Sequence, residues 1–277
     1  MTATDWRPRL VAVDADGTIL GADEEIPAGL AAKLRAIEAA GVPVVLVTGR
    51  SWLSAQLVLD QLGLPPSYCV CNNGATVMTY PPLAILRQET MDLAPVVAAV
   101  RRHPGVIMAV EAFGEGYLVS QPLPPGGLFE LHGEIRVVSL EELASWPAAR
   151  VLLWDPHASR PQFLLFMAEL PLKDLQWWID ERANWLDLSP GTAGKDQGLA
   201  FVAARLGVPQ ADTLAIGDGT NDIGFLRWAG RGVALGDAPA AVQAAADHVT
   251  GTFAAGGTLA ELDKWFPGTG PLPGVVA

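Results

Sequence analysis

From Leu10 to Gly74, short apolar runs of strand length alternate with amphipathic stretches of helix length, and each run ends in a polar turn. Leu10–Val13 stops at Asp14, Val44–Val47 at Thr48-Gly49, and Tyr68–Cys71 at Asn72-Asn73-Gly74. Between the first two, Pro27–Ala40 has proline at its first turn, apolar Leu30, Leu34 and Ile37 at helical spacing, and Gly41 as a stop. Trp52–Leu62 reads as the next helix, ending at Gly63. Strands joined by helices of this length are βαβ units, which demand a parallel sheet with helices on both faces.

The same rhythm returns toward the C-terminus. Asp196–Leu206 is helical up to Gly207, Thr213–Ile216 is a strand running into Gly217-Asp218-Gly219, and Asp222–Trp228 is a short helix. Gly232–Leu235, Ala238–Ala246 and Thr258–Trp265 follow as strand, helix and last helix before a Gly/Pro tail. The middle differs, with proline breaks at Pro81-Pro82 and Pro122–Gly127. Strand candidates there are Val106–Val110, Gly116–Val119, Arg150–Leu153 and Gln162–Phe166; helix candidates are Leu93–Arg102 and Leu172–Arg182. The expected architecture is therefore an α/β, Rossmann-like parallel-sheet core made of residues 1–81 and 189–277, with an α+β domain, residues 82–188, inserted between them.

Composition excludes several classes. Half of the 277 residues are apolar and the mean hydropathy is positive, so the chain can bury a core and is not disordered. The longest apolar runs are strand-sized, far short of a membrane span. With 18 basic and 30 acidic residues the net charge is 18 − 30 = −12, which argues against nucleic acid as a partner. An anionic ligand would meet long-range repulsion, so any phosphate site must be built locally from a few cations. Cys69 and Cys71 flank Val70 on one strand face and read as buried thiols of a reducing compartment; they form neither a CxxC pair nor a zinc set. Met1 to Leu10 holds no apolar stretch of the secretory kind, and a cytoplasmic location is the expectation. No metal-ligand spacing links the four histidines, and the oligomeric state is left open.

The chemistry concentrates at strand ends. Leu10-Val11-Ala12-Val13-Asp14-Ala15-Asp16-Gly17-Thr18 places two carboxylates at i and i+2 past a buried strand, where open α/β sheets bind ligands, and the extended backbone aims both the same way. Two close anions need a cation, such as an oxygen-bound Mg²⁺, or a proton held by a raised pKa. Three more polar clusters follow predicted strands or open helices: Thr48-Gly49-Arg50, Lys195 within Gly194-Lys195-Asp196, and Gly217-Asp218-Gly219-Thr220-Asn221-Asp222. Lys195 is one of only four lysines. Arg50 is read as a loop-fixing ion-pair partner ahead of a substrate contact, and Asn73 as either a turn residue or a site residue. Arg87, Arg101, Arg102, Arg136, Arg150 and Arg160 in the insert are candidate anchors for a substrate, each with a solvated face as the simpler reading.

In this order, the four clusters resemble the haloacid dehalogenase superfamily of phosphohydrolases, and within it the Cof-type branch with a large α+β cap. Asn72-Asn73-Gly74-Ala75, Ala234 to Pro239 and Ala244 to Val249 resemble further stretches of that branch. Residue 15 is Ala where the family usually carries Leu or Met, and Lys195 is followed by Asp196-Gln197-Gly198 instead of directly by Gly. The resemblance implies that Asp14 is the nucleophile, forming an aspartyl-phosphate. It makes Asp16 the general acid and then base, protonated at the first step. Mg²⁺ would be held by Asp14, by the backbone carbonyl of Asp16 and by Asp218, with Asp222 supporting metal or lysine. Thr48, the Gly49 N–H and Lys195 would bind the phosphoryl oxygens, and Asn221 would touch the phosphate or orient Lys195. The cap would close over a small phosphorylated metabolite. A sugar phosphate is the expected substrate, and hydrolysis the expected reaction. A phosphomannomutase-like mutase and a non-catalytic phospholigand-binding module remain as alternatives. The DxD metal site of a nucleotide-sugar glycosyltransferase would leave Thr48, Lys195 and Gly217–Asp222 unexplained.

Overall fold

The computed structural model describes residues 6–124, 131–180 and 184–268. In chain order the first elements are β1 (Leu10–Val13), α1 (Leu30–Ala39), β2 (Val44–Val47), α2 (Trp52–Leu62), β3 (Ser67–Cys71), β4 (Thr76–Tyr80) and β5 (Ala84–Gln88). Then come α3 (Ala94–Val100), β6 (Ile107–Ala112), β7 (Gly116–Val119), β8 (Glu134–Val137), α4 (Leu140–Ser145), β9 (Val151–Trp154), α5 (Arg160–Met167), β10 (Leu175–Asp180) and β11 (Trp185–Pro190). The chain continues through α6 (Lys195–Leu206), β12 (Thr213–Gly217), α7 (Ile223–Trp228), β13 (Arg231–Ala234), α8 (Ala240–Gln243), β14 (His248–Val249) and α9 (Gly257–Trp265).

Two compact units result: Met1–Gly49, Gln56–Leu86 and Gly194–Ala277 form one, Arg50–Ala55 and Arg87–Ala193 the other. The fold is α/β, with a parallel-sheet core. In the first unit the sheet order is β14-β13-β12-β1-β2-β3-β4-β5, parallel from β14 to β3, with β4 antiparallel to β3. Every residue of β1, β2 and β12 is buried, as strands covered on both faces must be. Leu10, Ala12, Val45, Val47 and Val70 turn one way, onto Leu199 and Val202 of α6 and Phe225 of α7. On β2 the chain also meets α1, which packs on α9. The order reverses at β1: β2 and β3 are added on one side, β12 and β13 on the other. A crevice opens beyond the carboxyl ends of β1 and β12 at such a switch point.

The second unit carries a six-stranded sheet of order β10-β11-β9-β6-β7-β8, antiparallel except for the β7–β8 pair. Its main core lies between one sheet face (Met108, Val110, Leu118, Val151, Leu153) and α3 and α5 (Val96, Val100, Phe163, Phe166).

Two sequence expectations are corrected here. Gln162–Phe166, expected as a strand, lies in α5. Ser159 precedes it, Pro161 sits in its first turn, and the Gln162 side chain accepts from the Ser159 N–H at 2.8 Å and from its hydroxyl at 2.7 Å. That box starts a helix, and Phe163, Phe166 and Met167 then share one buried face. Leu172–Arg182, expected as a helix, is a single 3₁₀ turn followed by β10, whose Trp177 opposes Leu188 of β11. Aromatic side chains favour such a pleated surface. The end of that segment past Asp180, residues 125–127 of the proline break, and the tail past Gly268 lie outside the described residues. The helix at Ala238–Ala246 is shorter than expected, confined to α8. Among the described residues no helix is long and apolar enough to cross a membrane.

Candidate active site

The expected site residues leave the sheet at one edge. β1 pairs with β12 in parallel, Val13 opposite Ile216, and with β2, Val13 opposite Leu46. Asp14, Thr48 and Asp218, each just past its strand, therefore emerge side by side. Asp14 keeps its backbone N–H bonded to Ile216 O at 3.0 Å, so the first carboxylate is anchored to the sheet itself. The chain then turns sharply: the Ala15 carbonyl accepts from the N–H groups of Thr18, Ile19 and Leu20. Gly17 has φ +72°, and a Cβ there would run into the Asp218 carboxylate, so both backbone angle and clearance require glycine.

Lys195 opens α6 and is buried. Its Nζ donates to Asp14 Oδ1 at 2.5 Å and to Asp222 Oδ1 at 2.6 Å. The Asp196-Gln197 departure after it does not divert the ammonium from the acids. Asp222 is fully buried and saturated: its Oδ2 accepts from the N–H groups of Asp218 at 2.9 Å and Gly219 at 2.8 Å. Those bonds close the Gly217–Asp222 loop, while the other oxygen faces Lys195. One oxygen each of Asp14, Asp218 and Asp222 lies within 4.8 Å of the others. Asp16 is exposed and stands apart from that trio, although its backbone bridges to Leu20. Thr48 is fully buried, its N–H bonded to Val70 O at 2.8 Å; Arg50 is buried too. Asn221 Nδ2 donates to Asn73 Oδ1 at 2.9 Å.

Electrostatically the site is overloaded with anions. Burial pushes the Asp14 carboxyl well above its usual range, and repulsion from Asp222 adds to this against the pull of Lys195. Asp218 is pushed up to about 6, first by burial and then by Asp222, against the hydroxyl it accepts from. For Lys195 burial alone would lower the pKa, but Asp14 and Asp222 outweigh it and hold the ammonium above its ordinary value. Three carboxylates thus face one ammonium. An all-oxygen donor set with surplus negative charge fits a hard divalent cation, so the residues suit Mg²⁺.

Thr18 was given no role by sequence reading. Its Oγ1 donates to Asp218 Oδ1 at 2.7 Å, and its carbonyl accepts from Thr258 Oγ1 at 2.6 Å. A hydroxyl two residues after the second carboxylate was the available signal. Nor did spacing reveal Asp222 as the closure of its own loop, although Gly219-Thr220-Asn221-Asp222 has the reach of a side chain bonding back three residues.

Comparison with known proteins places this geometry. A family described as haloacid dehalogenase-like hydrolase matches residues 11–103 and 155–262. "Putative phosphatase YxeH" of Bacillus subtilis (strain 168) is 25% identical over 264 residues, covering 87% of this chain and 92% of its own. A haloacid dehalogenase-like hydrolase from Bacteroides thetaiotaomicron shares the fold with a TM-score of 0.81 at 22% identity, over 94% of this chain and 99% of that one. The structure described as the HAD subclass IIB sugar phosphatase BT4131 does so at 0.73 and 22% identity, over 93% and 98% of the two chains. With its four clusters in order and a matched region covering well over half its length, the chain belongs to the haloacid dehalogenase-like hydrolases, in their Cof-type branch.

Proposed function

We propose that this phosphatase-type hydrolase cleaves a small phosphate monoester, a sugar phosphate, with Mg²⁺ bound and through an aspartyl-phosphate on Asp14. One observation carries the reading: Lys195 spans Asp14 and Asp222 at the edge where Asp218 and Thr48 also emerge. A phosphoryl group there would meet a nucleophile, a cation and a metal-binding acid pair at once. The name of the Bacillus relative and the sugar phosphatase described for a neighbour of the same fold support the substrate class.

Asp14, Asp218 and the backbone carbonyl of Asp16 are the groups that would hold Mg²⁺, with Asp222 kept as the partner of Lys195. The ion, when bound, neutralises phosphoryl charge and supplies Lewis acidity. The chain's own residues do the rest. Lys195 fixes the Asp14 carboxylate and, with Thr48 and the Gly49 N–H, takes phosphoryl oxygens. An Asp14 oxygen attacks phosphorus, the P–O bond to the alcohol breaks, and the leaving oxygen takes a proton from the Asp16 carboxyl. Asp16, now a carboxylate, removes a proton from water as that water attacks the phosphorus; phosphate leaves and Asp14 is restored. In this reading residues 1–81 and 189–277 are the catalytic core and 82–188 the cap.

The test is a panel of phosphorylated sugars with Mg²⁺, followed for free phosphate and for sugar isomers. Phosphate release is the expected result. Interconversion of isomers without release would make the protein a mutase, and binding without turnover would make it a phospholigand module.

A further inference from the structure

Asn73, singled out in the sequence, has no part in the proposed reaction. It occupies the turn between β3 and β4 with φ +54°, a left-handed backbone that asparagine tolerates, and it is buried. Its N–H donates to Thr48 O at 3.1 Å, and its side-chain Oδ1 accepts from Asn221 Nδ2 at 2.9 Å. Gly49 lies under this amide pair: a Cβ there would meet Asn73 Oδ1 at 2.9 Å and Asn221 Nδ2 at 3.4 Å. The Asn221 oxygen turns the other way, over Gly219 of its own loop. One asparagine thus touches both loops expected to cradle the phosphoryl group, by its backbone on the Thr48 side and by its side chain on the Asn221 side.

We propose that Asn73 is a positioning residue for phosphate binding, tying the Thr48-Gly49 loop to Asn221 and fixing which end of the Asn221 amide meets the ligand. One Nδ2 proton of Asn221 goes to Asn73, which leaves the second for a phosphoryl oxygen. Without the acceptor at residue 73, the Asn221 amide rotates freely and its oxygen competes for the same place. The proposal rests on the phosphate-ester reading above, and its readout is chosen to be independent of turnover.

The probe is inorganic phosphate, titrated calorimetrically in saturating Mg²⁺ against the parent, Asn73→Gly, Asn221→Ala and the double variant. Glycine keeps the left-handed backbone and the N–H bond to Thr48 while it removes the side-chain amide, acceptor included. Each single change is expected to weaken phosphate binding about ten-fold, the worth of one hydrogen bond to a charged group, and the double variant to be no weaker than either single one. A side chain that merely stabilised the turn would give losses that multiply; that result, or a parent-like Asn73→Gly, overturns the proposal. A second measurement needs no change at residue 73. In the parent, the side-chain amide protons missing from the Asn221→Ala spectrum should exchange about ten-fold more slowly than those of exposed glutamines, and free exchange overturns it as well. A parent that hydrolyses esters but shows uncoupled losses defeats the positioning alone. A parent with coupled losses that releases no phosphate from any ester defeats the hydrolase reading alone.

Discussion

Lys195 Nζ lies 2.5 Å from Asp14 Oδ1, although 181 positions separate the two residues, and the same ammonium reaches Asp222 at 2.6 Å. The pair is buried on both sides, so each partner has exchanged water for the other. Lys195→Met keeps much of the stem and removes the charge, which leaves two buried carboxylates facing each other. Stability should drop by about 3 kcal/mol in urea unfolding, and turnover by at least about a hundred-fold. Parent-like turnover would show that the ammonium serves the fold alone.

Asp14→Asn separates the nucleophile from the fold. The side chains are nearly isosteric, yet an amide cannot attack phosphorus, so hydrolysis should fall to background. Burial and the neighbouring acids hold the Asp14 carboxyl far above its usual range, so its ionised form costs stability at neutral pH. The neutral amide removes that cost. In metal-free buffer the variant should melt at or above the temperature of the parent, and a melting point several degrees lower would contradict the electrostatic account.

Asp218 ties metal affinity to pH. Its carboxyl is pushed up to about 6, so in the metal-free protein it carries a proton below that pH and is ionised above it. Protons and Mg²⁺ compete for the same oxygens. At about pH 8, a hundred-fold excess of Mg²⁺ over its dissociation constant should stabilise the fold by about 2.7 kcal/mol, visible as a rise in melting temperature. The rise should fade as pH falls through 6 and be absent in Asp218→Asn. A Mg²⁺ shift that persists in this variant would place the ion elsewhere.

Much of this was legible because buried parallel strands advertise themselves. Leu10–Val13 and Val44–Val47 are apolar throughout, Thr213–Ile216 is apolar after its first residue, and Asp14, Thr48 and Asp218 follow them at the sheet edge. The convergence of Asp14, Lys195, Asp218 and Asp222 followed from that pattern together with the family resemblance. Strands exposed on one face gave weaker signals. Glu134–Val137 is exposed at every residue and lies at the edge of its sheet, so it has no apolar periodicity to read. Thr76–Tyr80 pairs antiparallel with Ser67–Cys71 across Asn72-Asn73-Gly74, a turn whose residues suit the end of a lone strand as well as the tip of a hairpin. Gln162–Phe166 was misread because a short apolar run does not distinguish a buried strand from a buried helical face; the Ser159 to Gln162 box did. Side-chain pairings such as Thr18 with Asp218 or Asn73 with Asn221 depend on loop geometry that spacing alone does not carry.

Glu261 gives a test of the same electrostatic reasoning away from the site. Its side chain is buried in α9 and accepts from Arg231 Nε at 3.0 Å, Trp265 Nε1 at 3.0 Å and Lys264 Nζ at 2.5 Å. Burial would raise its pKa, but these three donors prevail and hold the carboxyl below its usual 4.5. A depressed folded pKa adds stability that is fully present above the unfolded value and is lost as pH falls through the folded one. Glu261→Gln keeps the shape and loses the charge. Because Arg231 and Lys264 are partly open to solvent, the expected loss at neutral pH is about 1 kcal/mol. Urea unfolding of parent and variant should differ by that amount at about pH 7 and converge below pH 4.5, as the parent's carboxylate takes up its proton. A gap that stays constant down to about pH 3 would mean that the charge of Glu261 contributes nothing to the fold.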